Sequence, residues 1–206
     1  MSKKIPLASN VEPLTARRPT RQEAEQAVRT LLAWAGDDPS RPALAETPRR
    51  VTDAYQEYFS GYAADAHGEL EDTFAETTGY NDMVLLKGIH FDSHCEHHIA
   101  PFTGIAHVAY IPERRIVGLS KLARVVEIYA RRLQTQENLT SEIALAIEDV
   151  LQPKGVAVML SAEHQCMGAR GVRQPHVETV TSRFIGAFET DPALRERFIA
   201  IVQAQR

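Results

Sequence analysis

The chain has 206 residues, 44% of them apolar and 24% charged, with a formal net charge of −4, which suits a globular protein able to bury a good core as one domain. That balance gives no general pull toward nucleic acid or an anionic membrane, so any anion binding must come from local clusters of arginine and lysine. No apolar run reaches the roughly 20 residues of a membrane span, and Met1-Ser2-Lys3-Lys4 is followed by no apolar secretory core, so the expected location is the cytoplasm, where thiols stay reduced.

Residues 1–19, with Pro6, Pro13 and Pro19 and little periodicity, are expected to form a mobile arm. Residues 20–81 are expected to be a helical region with a connector. Thr20 and Glu23 make a capping box, and Ala24, Ala27, Val28, Leu31, Leu32 and Ala35 recur at helical spacing up to Gly36. Thr47-Pro48 supplies an N-cap and an N1 proline for a second helix carrying Val51, Ala54, Tyr55 and Phe59. Arg49 and Arg50 fall in its first turn, where a cation opposes the helix dipole; one of them facing an anion or a partner chain would offset this, and a solvated pair fits the spacing equally. The acidic, weakly patterned residues 61–81 read as a connector with one short helical turn.

From residue 82 onward a third unit begins, and the apolar period changes to two. Residues 83–91 read as a strand and residues 103–111 as its returning partner, joined by a long functional connection whose tip carries Cys95 to Pro101. Ser120 can cap a helix with Leu122, Val125, Val126, Tyr129 and Leu133 in one stripe, from which Lys121 and Arg124 point away. A further helix buries Leu139, Ile143, Ala146, Ile147 and Val150, with Glu137 near its start. Val156, Val158, Leu160, Ala162, His164 and Cys166 then occupy every second position of one strand, so that period two predicts His164 and Cys166 on one face. Residues 177–184 read as the returning strand, and Asp191-Pro192 opens a terminal helix with Leu194, Phe198, Ile201 and Val202 inward.

Cys95 and Cys166 are the two cysteines of the chain, and each has histidine beside it: His94, His97 and His98 around the first, His164 near the second. Thiolate and imidazole are preferred zinc ligands, and Cys95 with His98 has the spacing of a single turn closing on one ion. Cys166 would complete a three-ligand site with a fourth position open to water, the pattern of a hydrolytic metal centre. Three blander readings stand beside it: cysteines packed as small apolar side chains, a Cys95–Cys166 disulfide, and a structural zinc, which normally takes four protein ligands. His97 and His164 are extra imidazoles beside the ligand candidates, suited to acid and base chemistry near neutral pH.

The expected architecture is α+β: four antiparallel strands in two hairpins, with helices packed on one face. Such a sheet has two exposed edges, and pairing between copies that closes a ring is one way to remove them.

With these elements placed, the chain resembles the GTP cyclohydrolase I family. The resemblance rests on residues 95–104 (CEHHIAPFTG), 107–112 (HVAYIP), 118–124 (GLSKLAR), 131–137 (RRLQTQE), His164-Gln165-Cys166-Met167 and Arg170-Gly171-Val172-Arg173, in the family's order and approximate spacing, with residues 46–51 (ETPRRV) similar to its N-terminal helix signature. It runs from about Thr20 to the C-terminus; Gln165 and Gly168 are small departures that remove no functional side chain.

The resemblance implies a tunnelling fold for residues 82–206, in which subunits join their sheets into a barrel and two pentameric rings stack into a decamer. It implies zinc on Cys95, His98 and Cys166, proton transfer by His97 and His164, and guanine read by Glu137 with Gln136. It also implies Ser120 near the ribose, and Lys121, Arg124 and Arg170 on the triphosphate, with Arg50 a further phosphate candidate. The implied reaction is that of a hydrolase acting on a cyclic amidine: opening of the guanine imidazole ring of GTP, release of formate and rearrangement to 7,8-dihydroneopterin triphosphate, which opens tetrahydrofolate and pterin biosynthesis. Two alternatives share the fold: another pterin-processing or nitrile-reducing enzyme without a triphosphate site, and a zinc-binding homologue without catalysis.

Overall fold

The computed structural model describes residues 17–71, 73, 74 and 79–204; apart from residues 17–19, the expected N-terminal arm lies outside them. In chain order the elements are α1 (Arg21–Trp34), α2 (Thr47–Tyr58), α3 (Ala66–Glu71), β1 (Thr73–Phe74), β2 (Val84–Cys95), β3 (Pro101–Ile111), β4 (Ile116–Val117) and α4 (Leu119–Ala130), followed by β5 (Leu133–Gln134), α5 (Gln136–Leu151), β6 (Gly155–His164), α6 (Gln165–Gly168), β7 (Glu178–Gly186), α7 (Ala187–Thr190) and α8 (Pro192–Gln203).

The helix starts follow local chemistry. At α1 the Thr20 hydroxyl accepts from the Glu23 amide at 3.2 Å, and the Glu23 carboxylate accepts from the Thr20 amide at 2.7 Å, a complete capping box. At α2 the cap falls on Glu46 rather than Thr47, which is itself the first helical residue, and no side chain caps this end. At α4 it falls on Gly118 rather than Ser120, which lies inside the first turn. α1 is helical but buries none of its residues within one chain, and Leu31 and Trp34 are 64% and 85% exposed.

β5, β2, β3, β6 and β7 form one sheet in that order. Four of the strands are antiparallel neighbours as expected; the fifth, β5, pairs in parallel with the end of β2, His94 opposite Leu133 and Cys95 opposite Gln134. Two residues are too few to show a period, so β5 is invisible in the pattern. β1 and β4 form a separate two-residue ladder.

The expectation of helices on one face needs correction. Val108 and Val158 face α4 and α5, in the core with Leu122, Val126, Ile143 and Ile147. Their chain neighbours Ala109 and Ala157 point the opposite way, as strand alternation requires, into a second core with Phe188 and Phe198 of the terminal helices. α8 therefore covers part of the other face, with Phe198 fully buried and Ile201, expected inward, 39% exposed. Among the described residues, no helix is long and apolar enough to cross a membrane.

β2 carries a bulge between Lys87 and Ile89, where Gly88 adopts a φ of 83° that a side chain would strain. There the Gly88 amide donates to His107 Nδ1 at 3.3 Å, a bond that requires this nitrogen to be unprotonated. Burial, and after it the Lys87 ammonium, hold the His107 imidazole below its ordinary value of 6.5. The unfolded chain then takes up this proton at higher pH than the folded one, so the contribution is intact above 6.5 and is lost as pH falls below it. The drop in melting temperature between about pH 7.5 and about pH 5.5 is expected to be smaller in His107→Gln, whose amide oxygen still accepts from Gly88 but does not titrate; an equal drop would clear His107 of the effect.

Candidate active site

The end of β2 and the start of β3 build the site. The expected long connection is short: β2 runs on to Cys95 and β3 begins at Pro101, leaving only residues 96–100 between them. The turn is closed by the Cys95 carbonyl, which accepts from the His98 amide at 3.3 Å and the Ile99 amide at 2.8 Å, while the Cys95 amide donates to the Ala100 carbonyl at 2.9 Å. β5 pins its outer side, the Glu96 amide donating to the Gln134 carbonyl at 3.0 Å. Ile99 sits at a φ of 53°, which for a β-branched residue costs on the order of 1–3 kcal/mol. That strained turn presents His97 and His98 outward, both exposed, over the buried Cys95.

Cys166 reaches the same point by a route other than the one expected. β6 ends at His164, and Cys166 lies on the helical turn α6, so the strand-face argument for the pair fails. The helical turn nevertheless brings Cys166 beside Cys95: the ligand atoms of Cys95, His98 and Cys166 all lie within 4.8 Å of one another. Cys95 Sγ is 3.8 Å from His98 Nδ1 and 3.9 Å from His97 Nδ1. Both cysteines are free thiols, so the disulfide reading does not hold.

The donor set fits a soft divalent cation. Burial, then the charge of Cys95 and a hydrogen bond to it, push the Cys166 thiol up, and Arg170 pulls it partly back. A thiol raised by burial and a neighbouring sulfur is brought to the thiolate by a bound cation, and two thiols with one imidazole are the donors that zinc or a similar metal prefers.

His164 is held beside this group with unusual definition. Its ring stacks on Phe102 with centroids 4.4 Å apart and planes 4° apart, and its Nε2 lies 2.8 Å from Gln136 Oε1. The orientation of the Gln136 amide is fixed by its other end, because Nε2 donates to the carbonyls of Thr179 at 2.9 Å and Leu160 at 3.3 Å and to the Thr181 hydroxyl at 3.1 Å. The amide oxygen can only accept, so His164 donates from Nε2, and Nδ1 is the nitrogen left for chemistry. Burial holds the His164 imidazole below 6.5, with the Glu137 carboxylate partly offsetting this. A groove of about 210 Å³ opens beside it, lined by Glu163, His164, Gln165 and residues 174–177 among others.

The remaining candidates sort by location. Glu137, Ser120 and Arg170 are exposed, Glu137 close enough to His164 and Arg170 close enough to Cys166 to bias their protonation. Gln136, expected as a reader of guanine, is instead 1% exposed with its side chain bound inside its own chain. Lys121 and Arg124 lie at the start of α4, where Lys121 Nζ is 3.2 Å and Arg124 Nη1 3.6 Å from the Glu69 carboxylate. Arg50 is exposed on α2, and its backbone amide donates to Glu46. Sequence reasoning passed over Phe102, which stands inside a quoted motif, and Glu69, which stands in the unpatterned connector.

Comparison with known proteins bears on all of this. The family model described as GTP cyclohydrolase I matches residues 24–203. Among curated relatives, the protein named GTP cyclohydrolase 1 from Maricaulis maris (strain MCS10) is 51% identical over 198 residues, covering 96% of this chain and 97% of that protein. Those of the same name from Hyphomonas neptunium (strain ATCC 15444) and Sinorhizobium fredii (strain NBRC 101917 / NGR234) are 56% identical over 187 residues and 54% over 189, covering 91% and 92% of this chain and the same shares of theirs. A match over nearly the whole length at this identity, on a chain that also gathers Cys95, His98 and Cys166 at one point, means that this protein belongs to the GTP cyclohydrolase I family.

Proposed function

We propose that the chain catalyses the GTP cyclohydrolase I reaction: hydrolytic opening of the guanine imidazole ring of GTP, release of C8 as formate, and rearrangement to 7,8-dihydroneopterin triphosphate. The observation that carries this reading is the convergence of Cys95, His98 and Cys166 beside an imidazole whose Nε2 is committed to Gln136. Cys95, His98 and Cys166 would hold the metal, read as zinc, which when bound supplies Lewis acidity and lowers the pKa of water to about 7.

The chain's own groups do the rest. Ring opening consumes one water and needs a proton at N7, which His164 delivers from Nδ1 while Nε2 stays on Gln136. A second water releases formate. His97, exposed on the strained turn, moves protons in the later steps, with Ser120 assisting at the ribose. Glu137 accepts from guanine N1–H and the 2-amino group, two donors side by side that adenine lacks. Lys121, Arg124 and Arg170 take the triphosphate, with Arg50 as a further cation.

The assembled form belongs to the same reading: a tunnelling fold whose open edges, at β7 and beside the short β5, pair with other copies into a decamer of two pentameric rings. A groove of about 210 Å³ beside His164 is smaller than the roughly 300–1,000 Å³ of a ligand pocket, which supports walls supplied by a second chain.

Incubating the zinc-loaded protein with GTP tests the reaction. Formate and a pterin chromophore are expected in equal amounts, with none from ATP. A zinc-loaded, folded ring that yields no formate would leave the zinc-binding homologue as the better reading.

A further inference from the structure

Glu69 occupies a position that the catalytic reading leaves without a role. Its two carboxylate oxygens divide between two cations, Oε2 to Lys121 Nζ at 3.2 Å and Oε1 to Arg124 Nη1 at 3.6 Å. The backbone that carries it is anchored, because its neighbours on α3, Ala66 and Leu70, are 3% and 0% exposed in the core shared with α4, while the side chain itself is free to change rotamer. The β1–β4 ladder then ties the segment following α3 to the strand that leads into α4. The three side chains remain open to solvent, at 27% for Glu69, 26% for Lys121 and 62% for Arg124, so a dissolved anion can reach them.

We propose that Glu69 is a positioning counter-charge for the phosphate-binding cations, and that a polyphosphate binds by taking its place. The inference rests on the reading of Lys121 and Arg124 as triphosphate ligands. Before the nucleotide arrives, the carboxylate draws both cations toward α3 and offsets the cost of placing the Lys121 charge in the first turn of α4, where the dipole disfavours it. When phosphate oxygens approach the same two groups, Glu69 repels them and must be displaced. Binding becomes an exchange of one anion for another, and its affinity is lower than the same two cations would give without the Glu69 charge. Neither step needs any group beyond those named.

The test separates charge from shape. Glu69→Gln keeps the shape and removes the charge; Glu69→Asp keeps the charge and shortens the arm. Inorganic tripolyphosphate is titrated calorimetrically into each zinc-loaded variant, and KM and kcat for GTP are measured alongside, with melting curves to check folding. In Glu69→Gln the tripolyphosphate dissociation constant and the KM are expected to fall about two- to fivefold without a rise in kcat, the range expected of one partly exposed ion pair, while Glu69→Asp stays at the parent value. Lys121→Ala and Arg124→Ala are run beside them. If those two weaken tripolyphosphate binding but Glu69→Gln binds it no better than the parent, the exchange is overturned and the phosphate reading stands. If neither cation variant changes binding, the phosphate reading fails and the role of Glu69 with it.

Discussion

Cys166→Ala is expected to lose both its metal and its turnover. The ligand atoms of Cys95, His98 and Cys166 lie within 4.8 Å of one another, and among the described residues no other such group occurs, so removing one leaves two donors. Losing a partner that merely orients a ligand costs about 10–100-fold in metal affinity, and losing a ligand should exceed that. Cys95→Ala and His98→Ala are expected to behave alike. The pH dependence has a definite sign: burial and the neighbouring Cys95 raise the Cys166 thiol, so protons compete harder with the metal as pH falls, and affinity in the parent protein rises with pH. Metal analysis after dialysis and formate release from GTP provide the measurements. Full occupancy in the Cys166→Ala protein would take that residue out of the coordination set.

The parts of the molecule legible in the sequence are those with a local signal. The Thr20–Glu23 capping box, the Asp191 cap and the period-two run from Val156 to Ala162 each specify themselves within a few residues, and each is realised. The candidate metal group is legible as residue types, but the path to Cys166 is not. The period-two pattern runs on through His164 and Cys166, whereas the backbone turns helical at Gln165, and four residues are too few for the two to differ in pattern. The face covered by α8 was missed because Ala109 and Ala157 are small and pass as fillers on a polar face, whereas Phe188 and Phe198 pack on them for that very reason. The β2–β5 pairing and the Glu69 contacts depend on residues 39 and more positions apart, for which a single sequence holds no local signature.

His164→Ala is expected to keep its metal and lose about 10²–10⁴ in kcat, the usual worth of a positioned acid or base. The separation of metal from turnover is what distinguishes it from the cysteine variants. His164 ends β6 beside the metal group, but its Nε2 is bound to Gln136 Oε1 at 2.8 Å. Gln136→Leu tests the origin of that placement. It removes the acceptor that keeps the proton on Nε2, and it strips the Thr179 and Leu160 carbonyls of a donor while the Thr181 hydroxyl keeps Thr140, which costs on the order of 1–3 kcal/mol of stability for a buried group left unpaired. Stability loss alone would leave the ring's protonation unchanged. If Gln136 sets the tautomer, solid-state 15N spectra of histidine-labelled protein should show the His164 proton on Nε2 in the parent and divided between both nitrogens in Gln136→Leu. The His164→Ala spectrum identifies the resonance, and kcat should fall with KM little changed. A ring that keeps its proton on Nε2 without Gln136, with kcat intact, would assign the orientation of His164 to its stack on Phe102 instead.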